Sequence, residues 1–276
     1  VFKIVTATAG LEQGKVKVSD HFNCPGFRIV EDRRIRCHKT TGHGSETFRE
    51  GIMNSCNPVF MEVGARVGVD GMYDMFQKLG LFEKTGIDLP GEASSIMHKK
   101  KNVKAVELAT MSFGQSIQIT PLQLLRAASA VVNGGKLITP HFGVRVVSAD
   151  GEEEKTLKYT EEKGVIQKET SETMRELLEA VVSEGSGKNC KIEGFSIGGK
   201  TATSEKLPRG NGKYISSFLG FAKAENPTVM GIVLIDEPEG TYYGGTIAAP
   251  VMRSVFQVAL PYLGISKDYT VKKESE

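Results

Sequence analysis

The stretch Gly198-Gly199-Lys200-Thr201-Ala202-Thr203-Ser204-Glu205 indicates the fold, because two runs that read as strands follow it, at 215–222 and 228–236. Threonine and serine suit a strand, and glycine lets another backbone or a ligand approach closely. On the edge of a sheet, the lysine and the two threonines would bind a carboxylate and leave backbone groups free for a substrate. The alternative is a glycine-rich turn before a hairpin, without any site.

Length and composition are those of a globular chain. The 276 residues allow one large domain or two small ones, and 39% hydrophobic with 25% charged residues is typical of a protein with a sizeable core. A net charge of +2 gives no electrostatic case for a nucleic-acid partner. No apolar run reaches the length of a membrane span, and no signal peptide is present.

The first residues, Val1-Phe2-Lys3-Ile4-Val5, read as the inside of a helix without a cap, so we expect further sequence to precede Val1. Residues 2–12 form a short buried helix, and residues 16–45 are irregular, with two or three short strands or a loop-rich insertion. Ser55-Cys56-Asn57-Pro58 is a turn in which Pro58 takes the first helical position. Serine and asparagine at such a place are most often ordinary capping residues.

The order of the elements predicts the fold class. A second helix signal runs over 71–79, Thr120-Pro121-Leu122-Gln123 is a capping box at a further helix start, and 248–263 is a closing amphipathic helix. Helices come first, then the strands, then a last helix. This pattern predicts an α+β fold in which helices cover an antiparallel sheet.

Three short motifs stand in one order: Lys3 at the start, then Ser55-x-Asn57, then Lys200-Thr201-x-Thr203. S-x-x-K, S-D-N and K-T-G in this order are typical of serine β-lactamases and penicillin-binding proteins. The chain resembles the transpeptidase domain of class B penicillin-binding proteins nearly end to end, and the elongation and sporulation members are the most similar. Further stretches that carry the resemblance are 2–6, 85–92, 114–115, 120–123, 133–135, 220–222, 242–245 and 248–251.

The resemblance implies a penicillin-binding protein or serine β-lactamase-like fold, in which helices flank an antiparallel sheet beside an all-helical part. Residues 1–265 would be the transpeptidase domain, truncated at its N-terminus, and residues 266–276 a polar tail. The whole protein would be held in the cell membrane by a single-pass anchor outside this chain. Its catalytic domain would face outward, and a membrane glycosyltransferase would be its partner.

The resemblance also implies the chemistry. A serine directly before Val1 would attack a D-alanyl-D-alanine stem peptide, release D-alanine and pass the acyl group to a second stem; β-lactams would acylate the same serine. Lys3 would be the base, and Lys200 a neighbouring cation that helps to keep it neutral. Ser55 would relay a proton and Asn57 would orient Lys3. The substrate carboxylate would meet Lys200, Thr201 and Thr203, and the N–H of Thr203 would lie in the oxyanion hole.

Two rival functions remain open: a β-lactamase or β-lactam sensor of the same fold, and a scaffold without catalysis. Ala202 is a departure from the family pattern, which has glycine there. Its methyl group either narrows the cleft or points behind the strand.

Cysteines and histidines concentrate before the second motif, as Cys24-x12-Cys37-His38-x4-His43. Thiolate and imidazole are ligands of tetrahedral zinc, and the resemblance supports a structural zinc site here. We expect Cys24, Cys37 and His43 as ligands, with Cys56 or His38 as the fourth. The alternatives are a Cys24–Cys37 disulfide, which an oxidising compartment permits, and free thiols.

Overall fold

The computed structural model describes residues 1–208 and 210–268. Helices precede a three-stranded sheet, and a long helix follows it. The α-helices and strands, in chain order, are α1 (Lys3–Glu12), β1 (His21–Cys24), β2 (Phe27–Val30), β3 (Arg33–Arg36), β4 (Gly44–Thr47), α2 (Phe48–Met53), α3 (Asn57–Lys78), α4 (Ala105–Ser112), α5 (Pro121–Val132), β5 (Lys136–Ile138), β6 (Arg145–Val147), β7 (Glu153–Thr156), β8 (Glu161–Lys163), α6 (Lys168–Ser183), β9 (Ile197–Glu205), β10 (Tyr214–Ala222), β11 (Val229–Asp236) and α7 (Gly244–Tyr262).

The main sheet is antiparallel, in the order β11-β10-β9. β9 carries the lysine and the two threonines, and it is the edge strand of the sheet in the described part of the chain. In the register of β9 and β10, Thr203 lies opposite Ser216 and Thr201 opposite Phe218. The two strands expected after β9 are confirmed within a residue at each end.

The two faces of this sheet are covered by different elements. Phe221 belongs to a core cluster that includes residues of α1, α3, α5 and α6, whereas Phe218 packs with residues of α7 in a second cluster. These two side chains lie three residues apart on β10 and therefore point to opposite faces. Helices on one side and α7 on the other confirm the α+β class.

Helix α1 is held in the middle of the helical part. All of its residues from Lys3 to Gly10 are buried, and the hydroxyl of Thr6 donates to the carbonyl of Ser112 at 2.8 Å. Gly64 of α3 allows the approach of α4, because a Cβ there would lie 1.7 Å from Ser112 Oγ. The side chain of Lys3 thus projects from a helix whose position is fixed by tertiary contacts.

Some expectations differ from the structure. The helices predicted after Pro58 and over 71–79 are both present, but only a kink at Gly68, where the backbone is non-helical (φ 76°, ψ 170°), separates them within the single element α3. Residues 16–47 contain four short strands, β1 to β4, rather than two or three. Helix α7 begins at Gly244, four residues earlier than predicted, and Gly244 lies so close to the sheet that a Cβ there would be 2.2 Å from Ala202 O.

The beginning of the expected tail is anchored. The N–H of Ser196 donates to Asp268 Oδ2 at 2.9 Å, and Lys223 Nζ lies 3.0 Å from Asp268 Oδ1. The remainder of that tail, 269–276, lies outside the described residues. Across the ranges described above, no helix combines the length and the apolar character needed to cross a membrane.

Candidate active site

The amine of Lys3 joins the first two motifs. Its Nζ donates to Ser55 O at 2.6 Å, to Ser55 Oγ at 3.0 Å and to Asn57 Oδ1 at 2.7 Å. Asn57 is in turn held by its Nδ2, which donates to Arg36 O at 3.1 Å. The three acceptors match the three protons of an ammonium group, so the lysine and the Ser55-x-Asn57 motif form one hydrogen-bonded unit.

The turn that contains Ser55 has an unusual backbone. Ser55 lies between α2 and α3 with φ 54°, in the left-handed region that favours glycine. Its N–H donates to Ile52 O at 3.1 Å, at the end of α2. Such a conformation costs free energy and persists where surrounding structure holds it. Here it directs both Ser55 O and Ser55 Oγ to the amine of Lys3.

Burial changes the acidity of Lys3. Its side chain is 8% exposed, and desolvation lowers the pKa to about 8, although Cys37, Cys56 and Glu46 oppose this shift. The expected cation, Lys200, is therefore not the main cause. At pH 7 about a tenth of the amine then carries no proton, and this neutral form is the one that a general base requires.

Strand β9 separates its side chains onto two faces. A Cβ on Gly198 would lie 2.2 Å from Phe221, on the face of the sheet that α1, α3, α5 and α6 cover, here called the helical side. A Cβ on Gly199 would lie 2.5 Å from Phe218, on the opposite face, called the α7 side. Alternation then places Lys200 on the helical side and Thr201 on the α7 side. Lys200 is 1% exposed, and its Nζ donates to Thr201 O at 3.2 Å. Burial, and next the charge of Lys3, lower the pKa of Lys200 well below its usual range.

The open edge of β9 presents backbone groups. The N–H of Lys206 donates to Lys213 O at 2.9 Å, so these two residues are a hydrogen-bonded pair that continues the ladder of β9 and β10. Because bonded and non-bonded pairs alternate in an antiparallel ladder, the N–H and C=O of Thr201 and Thr203 point away from β10. The N–H of Thr203 is thus available at the edge, as an oxyanion hole requires.

The start of α7 packs against the threonines of β9. The N–H of Gly244 donates to Thr203 Oγ1 at 3.1 Å. Glycine is needed there, because a Cβ would lie 2.2 Å from Ala202 O. Just before α7, Tyr242 stacks on Tyr214 with ring centroids 4.0 Å apart. These contacts fix the helix end and the strand as one wall of the cleft.

Ala202 lies on the same side of β9 as Lys200. Its side chain is partly buried and packs against the helical core cluster. The methyl group of Ala202 therefore points to the helical side of β9 and not to the α7 side. The methyl carbon of Ala202 lies on the same face of β9 as the side chain of Lys200.

The expected metal ligands are also brought together. One ligand atom from each of Cys24, Cys37, His43 and Cys56 lies within 4.8 Å of the others. Cys56 is the middle residue of the Ser55-x-Asn57 motif, so the cluster and the motif share a turn. His38 is exposed, and its Nδ1 lies 3.7 Å from Cys37 Sγ, outside this mutually close set.

This donor set fits zinc. Three thiols and one imidazole are found in structural zinc sites, where tetrahedral bonds of about 2.0–2.3 Å bring ligand atoms to roughly 3.5–4 Å from one another. The four cysteines of the chain are free thiols in this structure, so the Cys24–Cys37 disulfide is not formed here. The buried Glu46 lies 3.8 Å from His43 Nδ1, beyond hydrogen-bond distance, and its Oε2 accepts from Asn54 Nδ2 at 3.1 Å.

The thiols of Cys37 and Cys56 interact with each other. A hydrogen bond from Cys56 is the largest cause that lowers the pKa of Cys37, and the same bond, with burial, raises the pKa of Cys56. The backbone N–H of Asn57 also donates to Cys37. The cluster therefore contacts the second motif through both Cys56 and Asn57.

Comparison with known proteins identifies the family. The description "Penicillin binding protein transpeptidase domain" matches residues 1–257. The chain belongs to this family. This confirms the resemblance that the three motifs indicated. Structural neighbours of the chain are penicillin-binding protein transpeptidase domains as well.

Curated relatives span the whole domain. Stage V sporulation protein D of Bacillus subtilis is 42% identical over 272 residues, which cover 96% of this chain and 42% of that protein. The probable peptidoglycan D,D-transpeptidase PenA of Neisseria flavescens is 32% identical over 273 residues, 96% of this chain and 64% of that protein. This chain thus spans less than two thirds of either relative.

Solved structures show the same fold. Apo penicillin binding protein 3 of Mycobacterium tuberculosis is 27% identical and superposes with a TM-score of 0.88, over 97% of this chain and 63% of that one. The same protein complexed with ampicillin also gives 0.88, at 25% identity, over 98% of this chain and 63% of that one.

Two residues of the transpeptidase domain were missed by sequence reasoning. Glu46 beside the cysteine cluster is one of many acidic residues, and nothing in its neighbourhood distinguishes it. Ser186 lies between two glycines just before β9, and its Oγ is 3.1 Å from Thr201 Oγ1. Its flanking glycines were the available signal, but its contact with Thr201 required the fold.

Replacing Ala202 by glycine should increase the rate of acylation by β-lactams roughly a few-fold, because it removes a methyl group from the face that carries Lys200. Glycine in a strand should also cost about 0.5–1 kcal/mol of unfolding free energy. Stopped-flow acylation and thermal unfolding of the full-length protein measure the two effects.

Ala222→Gly is the matched control, because Ala222 is buried on β10 and outside the three motifs. It should lower stability without raising the acylation rate. An Ala202→Gly protein that reacts no faster than the unmodified one would show that the methyl group does not restrict the cleft.

Proposed function

We propose that this domain is a serine D,D-transpeptidase that cross-links peptidoglycan stem peptides and is acylated by β-lactams. The observation that carries the proposal is the contact of Lys3 Nζ with Ser55 Oγ and Asn57 Oδ1. It unites two of the three family motifs in one hydrogen-bonded group. The nucleophile is a serine that immediately precedes Val1 in the full-length protein, one helical turn before Lys3.

In the proposed acylation step, the amine of Lys3 accepts the proton of the serine hydroxyl as that oxygen attacks the carbonyl carbon of the penultimate D-alanine. The edge N–H of Thr203 stabilises the resulting oxyanion. Ser55 gives its proton to the leaving amine and takes the proton that Lys3 accepted, so Lys3 is neutral again when D-alanine departs. Buried Lys3 suits this role because its pKa of about 8 leaves it partly neutral.

In the second step, an amine of another stem peptide attacks the carbonyl carbon of the acyl-serine and the ester bond to the serine breaks. The serine oxygen takes up the proton that the attacking amine loses. Thr201, Thr203 and Lys200 recognise the terminal carboxylate of the donor, and Ala202 lies between the two threonines. The side chains of the two threonines lie on the α7 side of β9, and Lys200 comes from the other side, where its Nζ donates to Thr201 O. The product is a peptide bond between two stems, with no net consumption of water.

A fluorescent penicillin should form a covalent adduct with the full-length protein, on the serine directly before Val1. Peptide mass spectrometry locates the adduct, and a D-alanyl-D-alanine peptide should release D-alanine. An adduct on Ser55 would contradict the assignment. Rapid release of hydrolysed penicillin with return of free enzyme would indicate a β-lactamase.

Two variants of Lys3 serve as controls in this experiment. Lys3→Met and Lys3→Arg should each lower the acylation rate by about a hundredfold or more, the usual contribution of a general base. Arginine keeps the positive charge but does not lose its proton. A loss of acylation rate in both variants therefore assigns the effect to proton transfer. An arginine variant with normal acylation would remove Lys3 from that role.

We further propose that Cys24, Cys37, His43 and Cys56 hold a structural zinc ion. Their ligand atoms are already close, and deprotonated thiols with a neutral imidazole are the donors that zinc binds. When bound, the ion would contribute folding free energy and fix the turn that carries Ser55. The chemistry of acylation involves the serine, Lys3 and Ser55, and none of its steps needs the metal.

The full-length protein should therefore purify with about one zinc per chain, and Cys37→Ser should lose the metal and lower the melting temperature by roughly 10 °C. Elemental analysis and calorimetry measure both. Cys190→Ser is the control, because Cys190 is buried in the cluster around α7 and should leave the zinc content unchanged. A metal-free protein with a Cys24–Cys37 disulfide and normal stability would contradict the site.

We infer a sporulation role, with a single-pass membrane anchor outside this chain, an outward-facing domain and a membrane glycosyltransferase as partner. The 42% identity with Stage V sporulation protein D supports the role. The full-length protein should fractionate with membranes and copurify with a glycosyltransferase, and its deletion should block spore formation while growth continues. A soluble protein, or a deletion that stops vegetative growth, would contradict this inference.

A further inference from the structure

The loop between α6 and β9 brings a serine to the substrate-binding strand. Ser186 Oγ lies 3.1 Å from Thr201 Oγ1, close enough for one hydroxyl to donate to the other. Ser186 is half-buried, and Thr201 is 8% exposed. Ser186 belongs to none of the three motifs. Its hydroxyl nevertheless contacts a residue of the third motif.

The position of Ser186 is fixed from both sides of the cleft. Its N–H donates to Met53 O at 3.1 Å, at the end of the helix that leads into the Ser55 turn. On the other side, Asn189 Nδ2 donates to Gly245 O at 2.8 Å, in the first turn of α7. A Cβ on Gly245 would lie 2.5 Å from Ser186 O, so only glycine permits this approach. The loop therefore connects the second motif with the wall behind the third.

The two hydroxyl groups have two protons and one short contact between them. If Thr201 donates to Ser186, Thr201 has no proton left for a substrate. If Ser186 donates to Thr201, the proton of Thr201 is free to point at an anion. A carboxylate only accepts hydrogen bonds, so its binding selects the second arrangement, and a polarised chain of hydroxyls donates more strongly.

We propose that Ser186 is a positioning residue that orients the hydroxyl of Thr201 toward the substrate carboxylate. Through that orientation, Ser186 sets the preference of the site for ligands with a free carboxylate. This inference rests on the proposed function. Ser186 itself contacts Thr201, whereas Thr201 contacts the substrate.

The test compares acylation of the full-length protein by benzylpenicillin and by its methyl ester, which lacks the carboxylate. Ser186→Ala should lower the second-order rate constant for the acid roughly three- to tenfold, the scale of one lost hydrogen bond. The rate constant for the ester should change less than about twofold. Ser186→Thr, which keeps the hydroxyl, should restore the rate with the acid.

A double-mutant cycle of Ser186→Ala with Thr201→Val tests whether Ser186 acts through Thr201. If Ser186 acts through Thr201, adding Ser186→Ala to Thr201→Val should produce no further loss. Ser254→Ala on the exposed face of α7 is the matched control and should leave both rate constants unchanged. The ratio of the two rate constants is measured within each variant, so a partly unfolded preparation does not alter it.

Three results would overturn the role. Equal losses with the acid and the ester would show that Ser186 supports the loop without acting on carboxylate recognition. An unchanged rate with the acid would show that its hydroxyl is not used. If the unmodified full-length protein were acylated by neither compound, both the proposed function and this role would fail, and that outcome is separate from the first two.

Discussion

The site depends on the hydrogen bonds that the buried amine of Lys3 donates to Ser55 and Asn57. Lys3 lies in a helix packed among other helices, and its amine donates to both ends of the Ser55-x-Asn57 motif. Lys3 is only 8% exposed, so its charged form loses solvation and its pKa falls to about 8. The same burial that holds the lysine in place therefore prepares it to accept a proton.

The other parts of the site fix the geometry around this amine. The cysteine cluster includes the middle residue of the second motif and contacts the backbone of Asn57. On the opposite wall, glycines at the start of α7 admit the backbone of β9 and of the loop that holds Ser186. Close backbone packing at this second wall limits how far the cleft can open, which is what positioning a peptide substrate requires.

Local signals predicted much of this. The capping box of Thr120 is present, with Gln123 N donating to Thr120 Oγ1 at 3.1 Å, and the order of helices and strands gave the fold class. Contacts between residues distant in the chain were beyond sequence reasoning. Cys56, and not His38, lies in the mutually close set with Cys24, Cys37 and His43 because of how the loop after Cys24 folds back. The contact of Ser186 with Thr201 depends on a loop fixed by Met53 and Gly245. Gly68 interrupts α3 with non-helical backbone angles, so the two helices predicted on either side of it are present.

The central claim is that Lys3 is a buried amine with a strongly lowered pKa. Lysine labelled with ¹³C at Cε gives each amine an NMR signal whose shift follows its protonation, and Lys3→Met assigns the signal. In the full-length protein, the account predicts a midpoint near pH 8, so about a quarter of the amine is neutral at pH 7.5. A midpoint near the ordinary value of about 10.5 would contradict the account, because the amine would then be almost fully charged when a base is needed.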